Sequence, residues 1–124
     1  MKKKILIGMA IAPLLILSAL FFILKNTPEH HIHNMRGANN RVYLHKDGHQ
    51  EAVFDHNGNA VTDCINMASY NYANPKTSPF MHLFKDTAPW LIWGNCRADP
   101  TSPSERFAAY MKDLHIGFRR SVGL

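Results

Sequence analysis

The longest apolar run of the chain spans residues 5–24, ILIGMAIAPLLILSALFFIL, and contains no charged side chain. As a helix with a rise of about 1.5 Å per residue it would be about 30 Å long, which matches the hydrocarbon core of a bilayer. Three lysines precede the run and only Lys25 follows it, and cytoplasmic flanks carry the excess of positive charge. The pattern predicts a transmembrane signal anchor over residues 1–25, a single pass through the inner membrane, and an extracytoplasmic, periplasmic location for the remaining chain.

A cleaved signal peptide is the alternative interpretation of this run. Signal peptides have a shorter apolar stretch of about 7 to 15 residues and a small-x-small cleavage site. Ser18 and Ala19 are the small residues near the end of the run, and five large apolar residues follow them. The uncleaved anchor is therefore the preferred interpretation.

Residues 26–40 have few apolar side chains and many Asn, Gly and Pro residues, which is typical of a flexible tether. The segment contains His30, His31 and His33, and imidazoles are ligands for zinc or copper. The neighbouring residues add no cysteine and few carboxylates. A hydrated tether is therefore preferred, and no metal site and no cofactor are predicted.

From Arg41 onward the pattern changes to short runs of β-branched and aromatic residues. Asp47-Gly48 and Asn57-Gly58 separate these runs, and both dipeptides accept the positive φ that tight hairpin turns require. The pattern predicts a three-stranded antiparallel meander over residues 41–62. A sheet of three strands buries its apolar side chains on one face. We therefore expect helices to cover that face.

Two helices are predicted after the strands. The first spans residues 79–93 and is interrupted near Thr87, because Pro89 cannot donate a helical hydrogen bond. The second spans residues 103–115 and begins at the capping box Ser102-Pro103-Ser104-Glu105. Its predicted buried stripe consists of Phe107, Tyr110, Met111 and Leu114. Residues 41–124 are therefore expected to form a small α+β domain.

Cys64 and Cys96 are the two cysteines of the chain. In an oxidising compartment, a pair of cysteines in a small domain favours a disulfide. Metal ligation or two free thiols are the alternatives, although neither cysteine belongs to a C-x-x-C motif. The predicted bridge closes a long loop and is expected to stabilise the domain by about 3 to 4 kcal/mol.

The charge distribution argues against a nucleic-acid partner. The chain has a formal charge of +5, but four of its fourteen basic residues flank the apolar run. Residues 26–124 therefore have ten basic and nine acidic side chains. Phosphate backbones are bound by clustered cations, and the predicted domain lacks such an excess.

His82 and Asp86 are four residues apart on the first predicted helix. A carboxylate that binds an imidazole can fix its tautomer and make it a general base, so the pair is a candidate catalytic site. The ordinary interpretation is a pair on the helix surface that contributes little beyond local stability. No serine or cysteine is placed by the sequence as a nucleophile.

Aromatic and amide side chains flank this pair in the sequence and are candidates for a binding surface. Aromatic rings can line a ligand groove or a partner surface, although a small domain also needs them for its core. The candidate binding residues are Tyr70, Asn71, Tyr72, Trp90, Trp93 and Asn95.

The stretches EAVFDHNGNAVTDCINMASYNY and HLFKDTAPWLIWGN, within residues 51–105, resemble a C-terminal module of exported bacterial proteins of the Rhs and polymorphic-toxin type. The motifs that carry the resemblance are the Asn57-Gly58 hairpin, the segment 69–72, His82 with Asp86, and the segment 89–95. The resemblance implies an effector that acts on a competitor cell, although the chain has no long series of repeats for delivery. It assigns no catalytic roles to these residues.

The sequence therefore predicts a membrane-anchored extracytoplasmic binding or accessory module. We expect it to engage another envelope protein through an aromatic patch and to have no catalytic activity of its own. The alternative is a toxin-like hydrolytic domain in which Asp86 orients His82 as a general base, with Asn71 or Asn95 contacting the substrate. That alternative predicts that these residues converge on one open cleft.

Overall fold

The computed structural model describes the backbone of residues 2–27 and 31–124, and the side chains of residues 11–27 and 31–124. The predicted tether therefore lies partly outside the described residues, at positions 28–30. The elements in chain order are helix α1 (Lys2–Asn26), strands β1 (Arg41–Leu44) and β2 (Glu51–Phe54), helix α2 (Pro79–His82), a π-helical turn (Leu83–Thr87), helix α3 (Ala88–Trp93) and helix α4 (Pro103–Ser121).

Helix α1 forms over the long apolar run, but no helix in the described ranges is long and apolar enough to cross a membrane. The predictions of a transmembrane helix over residues 1–25 and of a single-pass inner-membrane location are therefore wrong.

The C-terminal end of α1 packs closely on α4. A Cβ atom at Gly117 would lie 2.6 Å from the Thr27 Oγ1 atom and 2.7 Å from the Ile23 carbonyl oxygen. Only glycine allows two helix backbones to approach so closely at this point. This contact also explains why α4 continues to Ser121, beyond the predicted end at residue 115, because Gly117 is a packing residue inside the helix.

Helix α4 begins where the sequence predicts. The Ser102 Oγ atom accepts a hydrogen bond from the Glu105 N–H group at 3.2 Å, and the Ser102 N–H group donates to the Glu105 carboxylate at 2.7 Å. These reciprocal bonds form the predicted capping box, with Pro103 in the first helical turn.

The buried face of α4 differs from the predicted stripe. Phe107 and Met111 are 56% and 46% exposed, and the fully buried positions are Arg106, Tyr110, Asp113 and Gly117. The predicted period is present, but the helix is rotated so that two charged residues face inward. Arg106 faces inward because it donates to carbonyl oxygens at the end of α3.

The sheet has two strands where three were predicted. β1 and β2 are antiparallel with Val42 opposite Val53, and a turn at Gly48 (φ +77°) joins them. The predicted third strand is reduced to one bridge between Phe54 and Ala60. It ends there because the Asp63 carboxylate accepts hydrogen bonds from the next backbone N–H groups and turns the chain away from the sheet.

The hydrophobic core lies where α3 and α4 meet the segment 32–35, rather than between helices and the sheet. Met35, Trp90 and Tyr110 form its buried centre, and side chains of α3 and α4 pack around them. The prediction of a meander covered by two helices is therefore wrong. Residues 31–40 also differ from a flexible tether, since Met35 is 6% and His33 is 1% exposed.

The predicted kinked helix is present over residues 79–93. α2 and α3 are joined by the π-helical turn, in which the Ala88 N–H group bonds to the carbonyl oxygen of Leu83, five residues earlier. Pro89 causes this change, because it has no N–H group and its ring displaces the carbonyl of Lys85. The turn contains Asp86 and Thr87, and π-helical turns are frequent at functional sites.

The predicted disulfide is confirmed. Cys64 and Cys96 are bonded and their Cα atoms are 5.5 Å apart. The bond connects the loop that follows the sheet to the segment that follows α3. A disulfide is compatible with an extracytoplasmic location.

Candidate binding cleft

A cleft of about 240 Å³ opens between the loop of residues 69–72 and the helical segment 82–95. Every candidate catalytic or binding residue from the sequence lines this cleft. These residues are Tyr70, Asn71, Tyr72, His82, Asp86, Trp90, Trp93 and Asn95. The lining also includes His33, Glu51 and Lys85, which no sequence pattern places beside these residues.

Three large aromatic side chains at the cleft are exposed to solvent. Tyr70, Tyr72 and Trp93 are 59%, 72% and 70% exposed. The rings of Tyr70 and Tyr72 meet edge to face with centroids 6.0 Å apart, and the other side of Tyr70 stacks on His49 at 5.6 Å. Trp90 differs from them, because it is 8% exposed and belongs to the core.

His82 and Asp86 form the predicted pair, and both also bind the facing loop. The His82 Nδ1 atom lies 3.1 Å from the Asp86 Oδ2 atom and 3.1 Å from the Ala73 carbonyl oxygen. Because both neighbours are acceptors, Nδ1 carries a proton, and in the neutral ring the lone pair is on Nε2. The Asp86 carboxylate accepts the backbone N–H groups of Tyr72 at 2.7 Å and Ala73 at 3.0 Å.

His33 and Glu51 form a second imidazole–carboxylate pair on the other side of the loop. The His33 Nε2 atom lies 2.9 Å from the Glu51 Oε2 atom, and the side chains are 1% and 2% exposed. The Nδ1 atom of His33 lies 3.1 Å from the Met67 carbonyl oxygen. No local pattern predicts this pair, because His33 occurs in a polar segment and meets Glu51 only through the fold.

Glu51 connects this pair to the loop. Its carboxylate accepts hydrogen bonds from the Asn71 Nδ2 atom at 2.9 Å and from the Ser69 Oγ atom at 3.0 Å. The Asn71 amide also approaches the Gly48 carbonyl oxygen at 3.5 Å. Asn71 therefore holds the loop against the β-hairpin.

Asn95 has a comparable structural role at the opposite end. Its amide group donates to the carbonyl oxygens of Met67 at 2.7 Å and Ile65 at 3.4 Å. Its backbone N–H group donates to the Asp99 carboxylate at 2.7 Å. Burial acts to raise the pKa of Asp99, but hydrogen bonds from Thr101 and Asn95 outweigh it and leave that pKa below its ordinary value.

The polar groups that remain for a ligand are at the rim. Within residues 31–124, the hydroxyl groups of Tyr70 and Tyr72, the Lys85 ammonium and the Trp93 indole N–H form no hydrogen bond. The buried indole N–H of Trp90 also has no acceptor in this range. The Ser69 hydroxyl donates to the Glu51 carboxylate, and both cysteines are in the disulfide.

A buried titratable cluster lies behind the cleft. Asp113 is fully buried and pairs with the imidazole of His31. Burial raises the pKa of Asp113 to about 8, against the opposing effect of a hydrogen bond from the His31 backbone N–H group. Burial, assisted by Lys112, lowers the pKa of His31. Burial and the neighbouring Asp113 raise the pKa of Tyr110 to about 12. This cluster borders a small cavity of about 20 Å³ that His82 also lines.

No protein-family model, curated protein or solved structure matches this chain. In the described ranges, no group of three or more His, Cys, Asp or Glu side chains is arranged to hold a metal ion.

Proposed function

We propose that this chain is a binding module whose cleft takes up a segment of a partner protein, without catalytic activity of its own. The observation that carries the proposal is the exposure of Tyr70, Tyr72 and Trp93 around one cleft. Exposed apolar patches mark interaction sites, and tyrosine and tryptophan are enriched where proteins bind each other.

The hydrogen bonds beneath the rings support this proposal. Asp86 and His82 hold the backbone of Tyr72 and Ala73, and Glu51 holds Asn71 from the other side. The backbone that carries the rings of Tyr70 and Tyr72 is therefore held in place before any ligand arrives. Such preorganisation lowers the entropy cost of binding.

Capture of a partner with matched variants tests the proposal. The immobilised, disulfide-bonded protein is compared with the double variant Tyr72→Ala/Trp93→Ala and with Tyr43→Ala, which removes a ring that is 54% exposed on β1. We expect the double variant to capture at least 90% less of a bound protein than the unsubstituted chain does. We expect Tyr43→Ala to capture as much as the unsubstituted chain. Equal capture by all three proteins would contradict a role for the cleft.

A hydrolytic domain is the second candidate function, and one observation favours it. His82 and Asp86 line an open cleft together with Asn71 and Asn95, which is the arrangement that this alternative predicts. With its proton on Nδ1, His82 could accept a proton from water through Nε2. Against it, the amide groups of Asn71 and Asn95 donate to internal acceptors rather than toward a substrate.

Toxicity on export separates the two functions. A hydrolytic effector should stop growth when the protein is directed to the periplasm, and His82→Ala should abolish that toxicity while thermal unfolding shows a folded protein. Harmless wild-type protein, or an equally toxic His82→Ala variant, would eliminate the catalytic role.

A further inference from the structure

We propose that the cleft recognises a proline-rich segment in the polyproline II conformation, an inference that rests on the proposed binding function. Such a segment has apolar rings, regularly spaced carbonyl oxygens and few N–H donors. These are the features that the free groups of the cleft complement.

Hydrogen-bonding capacity is the first argument. The acceptors in the cleft floor are occupied, since Asp86 binds two backbone N–H groups and Glu51 binds Ser69 and Asn71. Each group left at the rim can donate: the Lys85 ammonium and the Trp93 indole N–H only donate, and the hydroxyls of Tyr70 and Tyr72 can donate as well as accept. A proline-rich backbone offers carbonyl oxygens to such donors and has almost no N–H group that would be left unpaired.

The shape of the rim is the second argument. Tyr70 and Tyr72 present rings at an interplanar angle of 88°, and Trp93 also lines the cleft. Aromatic-lined grooves of this kind accept the rings of prolines in an already extended chain, which loses little conformational entropy on binding.

Charge is the third argument, because the lining favours neither a strong cation nor a strong anion. Glu51 is paired with His33, Asp86 is paired with His82, and Lys85 supplies one positive charge. The remaining titratable groups of the lining are the two tyrosines. Two carboxylates against one ammonium disfavour a polyanion or an acidic peptide, and both carboxylates are almost completely buried and accept internal hydrogen bonds, which disfavours a polycation. An uncharged segment therefore fits the cleft best.

Titration with three capped probes tests the inference. The first is a nonapeptide of proline, the second is a nonapeptide in which alanine replaces every second proline, and the third is a chitin tetrasaccharide. Binding is followed by tryptophan fluorescence and by NMR signals of the indole N–H groups. We expect the proline peptide to bind at least tenfold more tightly than the alanine-containing peptide and the saccharide.

The variants sharpen this test. Trp93→Ala and Tyr70→Ala should each weaken binding of the proline peptide at least tenfold, Lys85→Met should weaken it about threefold, and Tyr43→Ala should leave it unchanged. Tighter binding of the alanine-containing peptide or the saccharide would overturn the inference, and so would no binding of any probe. These outcomes would overturn only the inference of a proline-rich ligand. The proposed binding function would still stand if the double variant Tyr72→Ala/Trp93→Ala fails to capture the protein that the unsubstituted chain captures.

Discussion

The junction of α3 with α4 and the rim of the cleft use polar and aromatic residues in opposite ways. At the junction, Arg106 is 3% exposed and donates to the carbonyl oxygens of Leu91 and Ile92, each at 3.0 Å. At the rim, Trp93 is 70% exposed, although it is the last residue of α3, the helix whose carbonyl oxygens Arg106 binds. The comparison indicates that the polar groups of the junction stabilise the fold, whereas the exposed rings of the rim are available for binding.

The disulfide should have the largest effect on stability, because it ties the loop after the sheet to the segment after α3. A chain-entropy estimate for the loop between Cys64 and Cys96, whose sequence separation is 32, is about 3 to 4 kcal/mol. We expect the double variant Cys64→Ser/Cys96→Ser to lose about that much unfolding free energy in urea denaturation. A loss below about 1 kcal/mol would show that the bond is not structural.

Arg106→Ala should have the next largest effect and tests the junction directly. It would leave the carbonyl oxygens of Leu91, Ile92 and Thr101 without a buried charged donor, at a cost of about 3 kcal/mol. Arg97→Ala is the matched control because Arg97 is exposed, and we expect it to change stability by less than about 0.5 kcal/mol. Equal effects of the two variants in urea denaturation would contradict the assigned role of Arg106.

The Asp113 cluster should make stability depend on pH. Because the folded pKa of Asp113 is raised to about 8 from 3.8, the folded state holds a proton that the unfolded state has lost. Between pH 6.5 and 8 unfolding free energy should therefore fall as pH rises, by at most about 1.4 kcal/mol per pH unit. Below pH 6.5 the lowered pKa of His31 acts in the opposite direction and flattens the curve.

Asp113→Asn isolates this contribution. The amide has nearly the same shape and does not titrate, so we expect the fall between pH 6.5 and 8 to disappear. Urea denaturation at several pH values measures it, with His56→Gln, an exposed turn residue, as the control. A fall that persists in Asp113→Asn would mean that another group is responsible.

Substitutions at the rim should have the smallest effect on stability. Trp93→Ala and Tyr72→Ala remove rings that are 70% and 72% exposed, so we expect each to change unfolding free energy by less than about 1 kcal/mol. Thermal unfolding would measure this change. A large loss in either variant would place these rings in the core and remove the distinction between rim and junction.

Local patterns predicted the parts of the molecule that depend on nearby residues. The capping box at Ser102, the turns at Gly48 and Gly58 and the interruption before Pro89 all follow from local chemistry. The candidate residues that the sequence singled out in the aromatic loop and on the helix of His82 line one cleft in the structure.

The remaining features depend on contacts between distant segments. The buried face of α4 was mispredicted because hydrophobicity favours Phe107 over Arg106, and the capping role of Arg106 arises only when α3 packs nearby. The burial of His33 similarly depends on Glu51 and Met67. The Gly117 contact with α1 could not be distinguished from a helix end by local sequence.

The most direct test of the cleft as a binding surface is site-specific photocrosslinking in the full chain. A photoreactive benzoylphenylalanine is placed at position 93 in one protein and at position 43 in another, and both are expressed with the disulfide intact. We predict a discrete protein adduct from position 93 that is competed by the proline nonapeptide, and no such adduct from position 43. No adduct from position 93, or the same adduct from both positions, would contradict the account.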